Sequence, residues 1–167
     1  MAFTKVGYGQ VEPNHLSAQR TGQIYAQLPA DNSIQILENG QYVKYDYVNK
    51  KVNFAGAGEW MMVFNEVKLY DTLREHAKDF AMKKADAVDG EIVPRVIKTN
   101  IGDIYTTSCV TNGTYEDGDY LTVASATGFL EKAASGKPAS PAMCWQVVDA
   151  SATMADGTAA LKIMRIQ

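Results

Sequence analysis

Short runs in which apolar and polar positions alternate recur along the chain, and they predict strands far more often than helices. Tyr42 to Tyr47 alternates after Asn39-Gly40, and Tyr120 to Val123 alternates after Asp117-Gly118; both dipeptides open tight β turns. Each run leads through a polar turn to a short returning strand, Val52-Asn53-Phe54 or Phe129-Leu130-Glu131. A glycine-containing loop follows in both, then a tryptophan strand, Trp60-Met61-Met62-Val63-Phe64 or Trp145-Gln146-Val147-Val148. Met143 to Ala150 is apolar and β-branched, Ala155-Asp156-Gly157-Thr158 is a turn, and Leu161 to Ile166 alternates, which predicts a last hairpin.

The chain also resembles itself. Gly22-Gln23-Ile24-Tyr25-Ala26-Gln27 matches Gly102-Asp103-Ile104-Tyr105-Thr106-Thr107, and Asn39-Gly40-Gln41-Tyr42-Val43 matches Asp117-Gly118-Asp119-Tyr120-Leu121 in the same order. Two related units about 80 residues apart are expected, with Tyr25 equivalent to Tyr105 and Tyr42 to Tyr120. Between them the pattern turns helical. Thr72-Leu73-Arg74-Glu75 has capping-box spacing, Leu73, Ala77, Phe80 and Ala81 make one apolar stripe, and Lys83 and Lys84 suit a helix C-terminus, so a helix is predicted over 72–84. Asp89-Gly90 and Pro94 then mark the return to β structure.

Residues 1–20 hold no period, and their apolar positions are too sparse for a core and too apolar for free water. They predict an extended N-terminal arm whose Phe3, Val6, Tyr8, Val11 and Leu16 bind a partner, the alternative being a strand of the protein's own sheet. The expected fold class is thus mainly β: two small related meander or barrel-like β units joined by one short α-helix, with an extended N-terminal arm. The divisions are 1–20 for the arm, 21–71 for the first unit, 72–99 for helix and linker, and 100–167 for the second unit.

Composition narrows the partners. Across 167 residues, 46% are hydrophobic and 21% charged, which suits a folded core. The net charge of −3 gives no positive field for a phosphate backbone, so nucleic acid is not an expected partner. Trp60 to Phe64, the longest apolar run, is far short of the roughly 20 residues that cross a bilayer, and Met1 to Thr4 opens no signal-peptide core. No membrane association and synthesis in a cytoplasm are expected. Cys109 and Cys144 stand in apolar β runs without metal-ligand spacing, and they are expected as reduced, buried thiols.

Nothing in the residue pattern assembles a reaction centre. His15 and His76 have no partner ligand at metal spacing, and no serine sits in a nucleophile elbow. Gly7-Tyr8-Gly9 and Gly56-Ala57-Gly58 lack the third glycine and following helix of a phosphate cradle, and Asn112-Gly113-Thr114 reads as a turn. Glu116, Asp117 and Asp119 form a solvated turn, since Leu121 and Val123 occupy the positions where calcium ligands would continue. Tyr42, Tyr45 and Tyr47 would suit a sugar platform, but the repeat match of Tyr42 with Tyr120 favours packing. No catalytic residue, cofactor or metal is expected, and the chain reads as a binding or structural protein and not an enzyme.

The stretch Gly102 to Gln167 resembles the small structural proteins of tailed-bacteriophage heads, particularly capsid decoration or cement proteins. Gly102-Asp103-Ile104-Tyr105-Thr106-Thr107, Asp117-Gly118-Asp119-Tyr120-Leu121-Thr122-Val123, Cys144-Trp145-Gln146-Val147-Val148 and Asp156-Gly157-Thr158-Ala159-Ala160-Leu161-Lys162-Ile163 carry the resemblance. It implies a virion protein on the capsid surface that binds the outer face of the major capsid protein, in the host cytoplasm during assembly, with a homo-oligomer on the lattice open to it. A tail or baseplate component and a small carbohydrate- or ligand-binding β module are the alternatives. The first half departs from the simplest decoration proteins, which are single β domains.

Overall fold

The computed structural model describes residues 2–4, 7, 9, 11–12, 28–65 and 81–167. The strands are β1 (Ala2–Phe3), β2 (Val11–Glu12), β3 (Ile36–Glu38), β4 (Tyr42–Asp46), β5 (Lys51–Asn53), β6 (Met61–Val63), β7 (Ala81–Lys83), β8 (Val96–Ile97), β9 (Ile104–Thr107), β10 (Gly113–Thr114), β11 (Tyr120–Val123), β12 (Leu130–Lys132), β13 (Trp145–Asp149) and β14 (Leu161–Arg165). One antiparallel sheet runs β5-β4-β6-β8 and a larger one β12-β11-β13-β14-β9-β2, with the pairs β3-β7 and β1-β10 beside them. The protein is mainly β, as its alternating runs require.

Alternation sets which side chains face inward. In β14, Leu161, Ile163 and Arg165 are buried while Lys162 is exposed; in β13, Trp145 and Val147 are buried and Gln146 is not. In β4 the alternation fails, because neighbouring Tyr42 and Val43 are both fully buried. Val43 and Tyr45 pack with Val52, Met61, Val63 and Val96, whereas Tyr42 and Met62 pack with Leu121, Trp145, Val147 and Ile163 of the larger sheet. The small sheet is therefore covered on both faces, its own core on one and the second unit on the other.

The two units repeat the same hydrogen bonds. Gly40 N–H donates to the Val63 carbonyl at 2.8 Å, and Gly118 N–H to that of Val147 at 2.8 Å. Val63 N–H bonds Gln41 O and Val147 N–H bonds Asp119 O, again both at 2.8 Å. Side chains copy the pattern: Glu38 N–H donates to Gln41 Oε1 and Glu116 N–H to Asp119 Oδ2, both at 2.9 Å. A parallel bridge joins Ala30 to Val52 in the first unit and Val110 to Leu130 in the second. Gly40 and Gly118 have φ of 90° and 89°, a left-handed conformation that glycine adopts without penalty. Strand order agrees as well, β5-β4-β6-β8 beside β12-β11-β13-β14.

Register places Tyr42 opposite Met62 and Tyr120 opposite Gln146, so Tyr42 and Tyr120 are equivalent. It also puts Met61, not Trp60, at the place of Trp145, since Met61 faces Val43 as Trp145 faces Leu121. Tyr25, the expected equivalent of Tyr105, lies outside the described residues.

Three expectations change. No α-helix occurs among the described residues; residues 72–80 of the expected helix lie outside them, and Ala81–Lys83 at its end pair with Ile36–Glu38 as a strand. Strand pairing bonds this segment's backbone to β3, and Lys84–Asp86 continues as a single 3-10 turn. Neither sheet closes into a barrel, because the larger order begins at β12 and ends at β2. The described part of the expected arm belongs to the body: β1 pairs with β10, β2 pairs with β9, and Gly9 N–H donates to the buried Glu38 carboxylate.

Candidate functional site

The units are held together by a mixed apolar and polar seam. The Tyr42 ring lies 4.8 Å from the Trp145 ring at 59°, and its hydroxyl is hydrogen-bonded to that of Tyr105. Burial raises both phenols above the ordinary tyrosine range, so both stay neutral in neutral solution. Beside them the buried Arg165 donates to the Thr99 carbonyl and to Glu59 Oε1 at 2.7 Å, while Lys98 reaches Glu59 Oε2 at 2.5 Å. Burial works to raise the Glu59 carboxyl, but hydrogen bonds from Lys98 and Arg165 outweigh it, and the net shift is downward. Glu59 is thus fixed and ionised, with its remaining lone pairs free to accept.

Above this seam lies a groove of about 580 Å³ lined by Lys44, Gly58, Glu59 and Trp60 from the first unit and by Thr122, Val123, Pro141, Ala142 and Met143 from the second. That volume is within the range of small-ligand clefts. Both walls draw on equivalent strands: Lys44 stands at the place of Thr122 in β4 and β11, and the loop before β6 faces the loop before β13. Lys44 Nζ sits 4.6 Å over the Trp60 ring. Trp60 N–H donates to Met143 Sδ at 3.2 Å and joins the walls. Val123, Pro141, Ala142 and Met143 make the second wall mostly apolar.

The residues expected to bind a partner are placed otherwise. Phe3 and Val11 are 6% and 5% exposed and belong to the protein's own core, Phe3 edge-on to Tyr115 at 6.3 Å. Phe3 and Val11 join a core built largely by the second unit. Val6, Tyr8 and Leu16 lie outside the described residues, as do His15 and His76. The tyrosine row is broken, because Tyr42 and Tyr45 are core residues and Tyr47 alone is exposed, at 66%. Asp117 and Asp119 serve the turn: Asp117 Oδ1 accepts from Ala150 N–H at 2.8 Å, and Asp119 Oδ2 accepts from Glu116 N–H and pairs with Lys132 at 2.7 Å. Cys109 and Cys144 are buried and form no disulfide, and burial pushes the Cys144 thiol up.

Sequence reasoning passed over Lys44, Glu59, Thr122 and Met143. They come from separate strands and loops, Lys44 and Thr122 related only by the repeat offset, and only Trp60, as a rare large residue at the head of a strand, could have flagged the place. No family model matches the chain, and no curated protein and no solved structure matches it.

Proposed function

We propose that the chain is a virion structural protein that decorates a capsid and stabilises it by binding the outer surface of the major capsid protein. The observation that carries this reading is the fusion of two copies of one β unit through a shared core, with Tyr42 and Met62 of the first packed into the second. Through that shared core, a contact made at one end restrains the other. Repeated on a lattice, even weak contacts then give firm attachment through effective concentration. The bacteriophage-head resemblance of Gly102 to Gln167 supports the same reading.

Phe3 and Val11 are core residues, and a further candidate for docking stands at another place on the body. The β4-β5 hairpin tip projects Tyr47 and Val48, 66% and 91% exposed, beside Lys50 and Lys51. Two adjacent large side chains on a hairpin tip suit insertion into a cleft of a protein partner. Purified protein mixed with heads that lack it should cosediment with them and raise the temperature at which they release their contents. Val48→Ser, at a side chain 91% exposed, should weaken attachment by about 1 kcal/mol and leave the melting curve unchanged. Binding to tails alone would transfer the reading to a tail or baseplate component, and binding to neither particle part would reject it.

A further inference from the structure

Asparagine or aspartate precedes glycine at Asn39-Gly40, Asp89-Gly90, Asn112-Gly113, Asp117-Gly118 and Asp156-Gly157. At such a junction the glycine nitrogen can attack the preceding side-chain carbonyl, because no Cβ on the glycine hinders the approach. Four of these nitrogens are engaged in the fold. Gly40 N–H donates to the Val63 carbonyl at 2.8 Å, Gly90 to Ala87 at 3.2 Å, Gly118 to Val147 at 2.8 Å and Gly157 to Met154 at 2.9 Å. Asn39 is also buried and clamped, its Nδ2 donating to the Asn65 carbonyl at 2.8 Å and its Oδ1 accepting from Asn65 N–H at 2.6 Å. Asn112 and Gly113 are both exposed, and across the strand pair Gly113 meets Phe3 of the two-residue strand β1. A pairing this short opens more readily than the longer strands of the body.

We propose that Asn112-Gly113 is a modification site at which spontaneous deamidation releases β1 from the body. Water is the only co-reactant. The Gly113 nitrogen forms a bond to Asn112 Cγ, the bond from Cγ to the amide nitrogen breaks, and ammonia leaves with the proton that Gly113 gave up. Water then adds to one of the two carbonyls of the cyclic imide, and the ring opens to aspartate or isoaspartate. Isoaspartate carries the main chain through the former side-chain methylene, so one backbone carbon is added just ahead of Gly113 and a carboxylate stands beside it. The register that sets Ala2 opposite Thr114 and Phe3 opposite Gly113 is then displaced. Phe3, 6% exposed and edge-on to Tyr115 at 6.3 Å, loses the pairing that holds it in the core. The inference stands apart from the capsid reading, because the reaction belongs to the chain alone.

The full chain would be held at mildly alkaline pH for weeks, in buffer and in urea, and its peptides weighed by mass spectrometry. In buffer the gain of one mass unit should appear at Asn112 at least about tenfold faster than at Asn39, and in urea the two rates should converge. Gly113 has no positive φ, and a Cβ there would meet only the Tyr115 ring at 3.6 Å, an ordinary contact. Gly113→Ala should therefore melt as the parent does and react about tenfold more slowly. The isoaspartyl chain, collected by anion exchange, should lose hydrogen-exchange protection at residues 2–4 and keep it in β13 and β14. Asn112→Asp adds the charge without the extra carbon and should keep protection at both places. The proposal is overturned if Asn112 reacts no faster than Asn39 in buffer, if Gly113→Ala reacts as fast as the parent, if the isoaspartyl chain keeps residues 2–4 protected, or if Asn112→Asp exposes them as fully as isoaspartate does.

Discussion

Gly128 and Lys50 stand at the same place in the β11-β12 and β4-β5 hairpins, and both hold a positive φ, 72° and 53°. Gly128 is pressed into the first unit: Tyr42 N–H donates to its carbonyl at 2.7 Å, Gln41 Nε2 reaches the Thr127 carbonyl at 2.5 Å, and a Cβ would collide with the Tyr42 carbonyl oxygen and the Phe54 ring. Lys50 is exposed and pays only the left-handed strain. Gly128→Ala should therefore destabilise by about 2–4 kcal/mol, and Lys50→Gly should stabilise by up to about 1 kcal/mol, both read from urea midpoints. The buried phenols give a second outcome at this scale. Tyr42 and Tyr105 have raised values in the folded state, so their contribution is complete below the ordinary tyrosine value of 10.0 and is lost as pH rises above it. Alkaline unfolding should begin above that pH, and Tyr105→Phe should delay it, as followed by fluorescence.

Among the elements, β1 and β2 differ most from their sequence pattern. Each is two residues long, yet Phe3 and Val11 are core residues. Removing residues 1–12 should lower stability by about 3–5 kcal/mol in a denaturant melt, where a free arm would have left it unchanged. Their role was illegible because a two-residue strand has no period, and its meaning comes from partners about 100 residues away, β10 and β9. The hairpins were legible for the opposite reason: turn chemistry and alternation are local, so Asn39-Gly40 and Asp117-Gly118 announced β4 and β11. The 72–84 helical pattern misled at Ala81–Lys83, where pairing with β3 overrides a stripe that propensity alone supports. The groove was illegible for a third reason, since its walls come from both copies and meet only when the units pack.

At the scale of the whole molecule, one shared core makes the two units a single cooperative body. Heating should give one transition, with Trp60 and Trp145 reporting the same midpoint as the far-ultraviolet signal. Glu59 ties the first unit to Arg165 of the second, and its carboxyl is held below the ordinary glutamate value of 4.5. That contribution is present above 4.5 and is lost as pH falls through the lower folded value. Glu59→Gln should cost about 1–2 kcal/mol at neutral pH, discounted for partial exposure, and should flatten the acid limb of the stability curve below 4.5.

The matched hydrogen bonds of the two units have a consequence for experiment. Val52 and Leu130 each fill a fully buried strand position crossed by a parallel bridge, and Asn39 and Asp117 each accept a backbone N–H at the turn, Asn39 buried and Asp117 exposed. Each substitution can thus be made twice in one polypeptide, at identical temperature, salt and chain length. Where the two results agree, the effect belongs to the shared architecture; where they diverge, it belongs to the seam. Every molecule carries its own internal control.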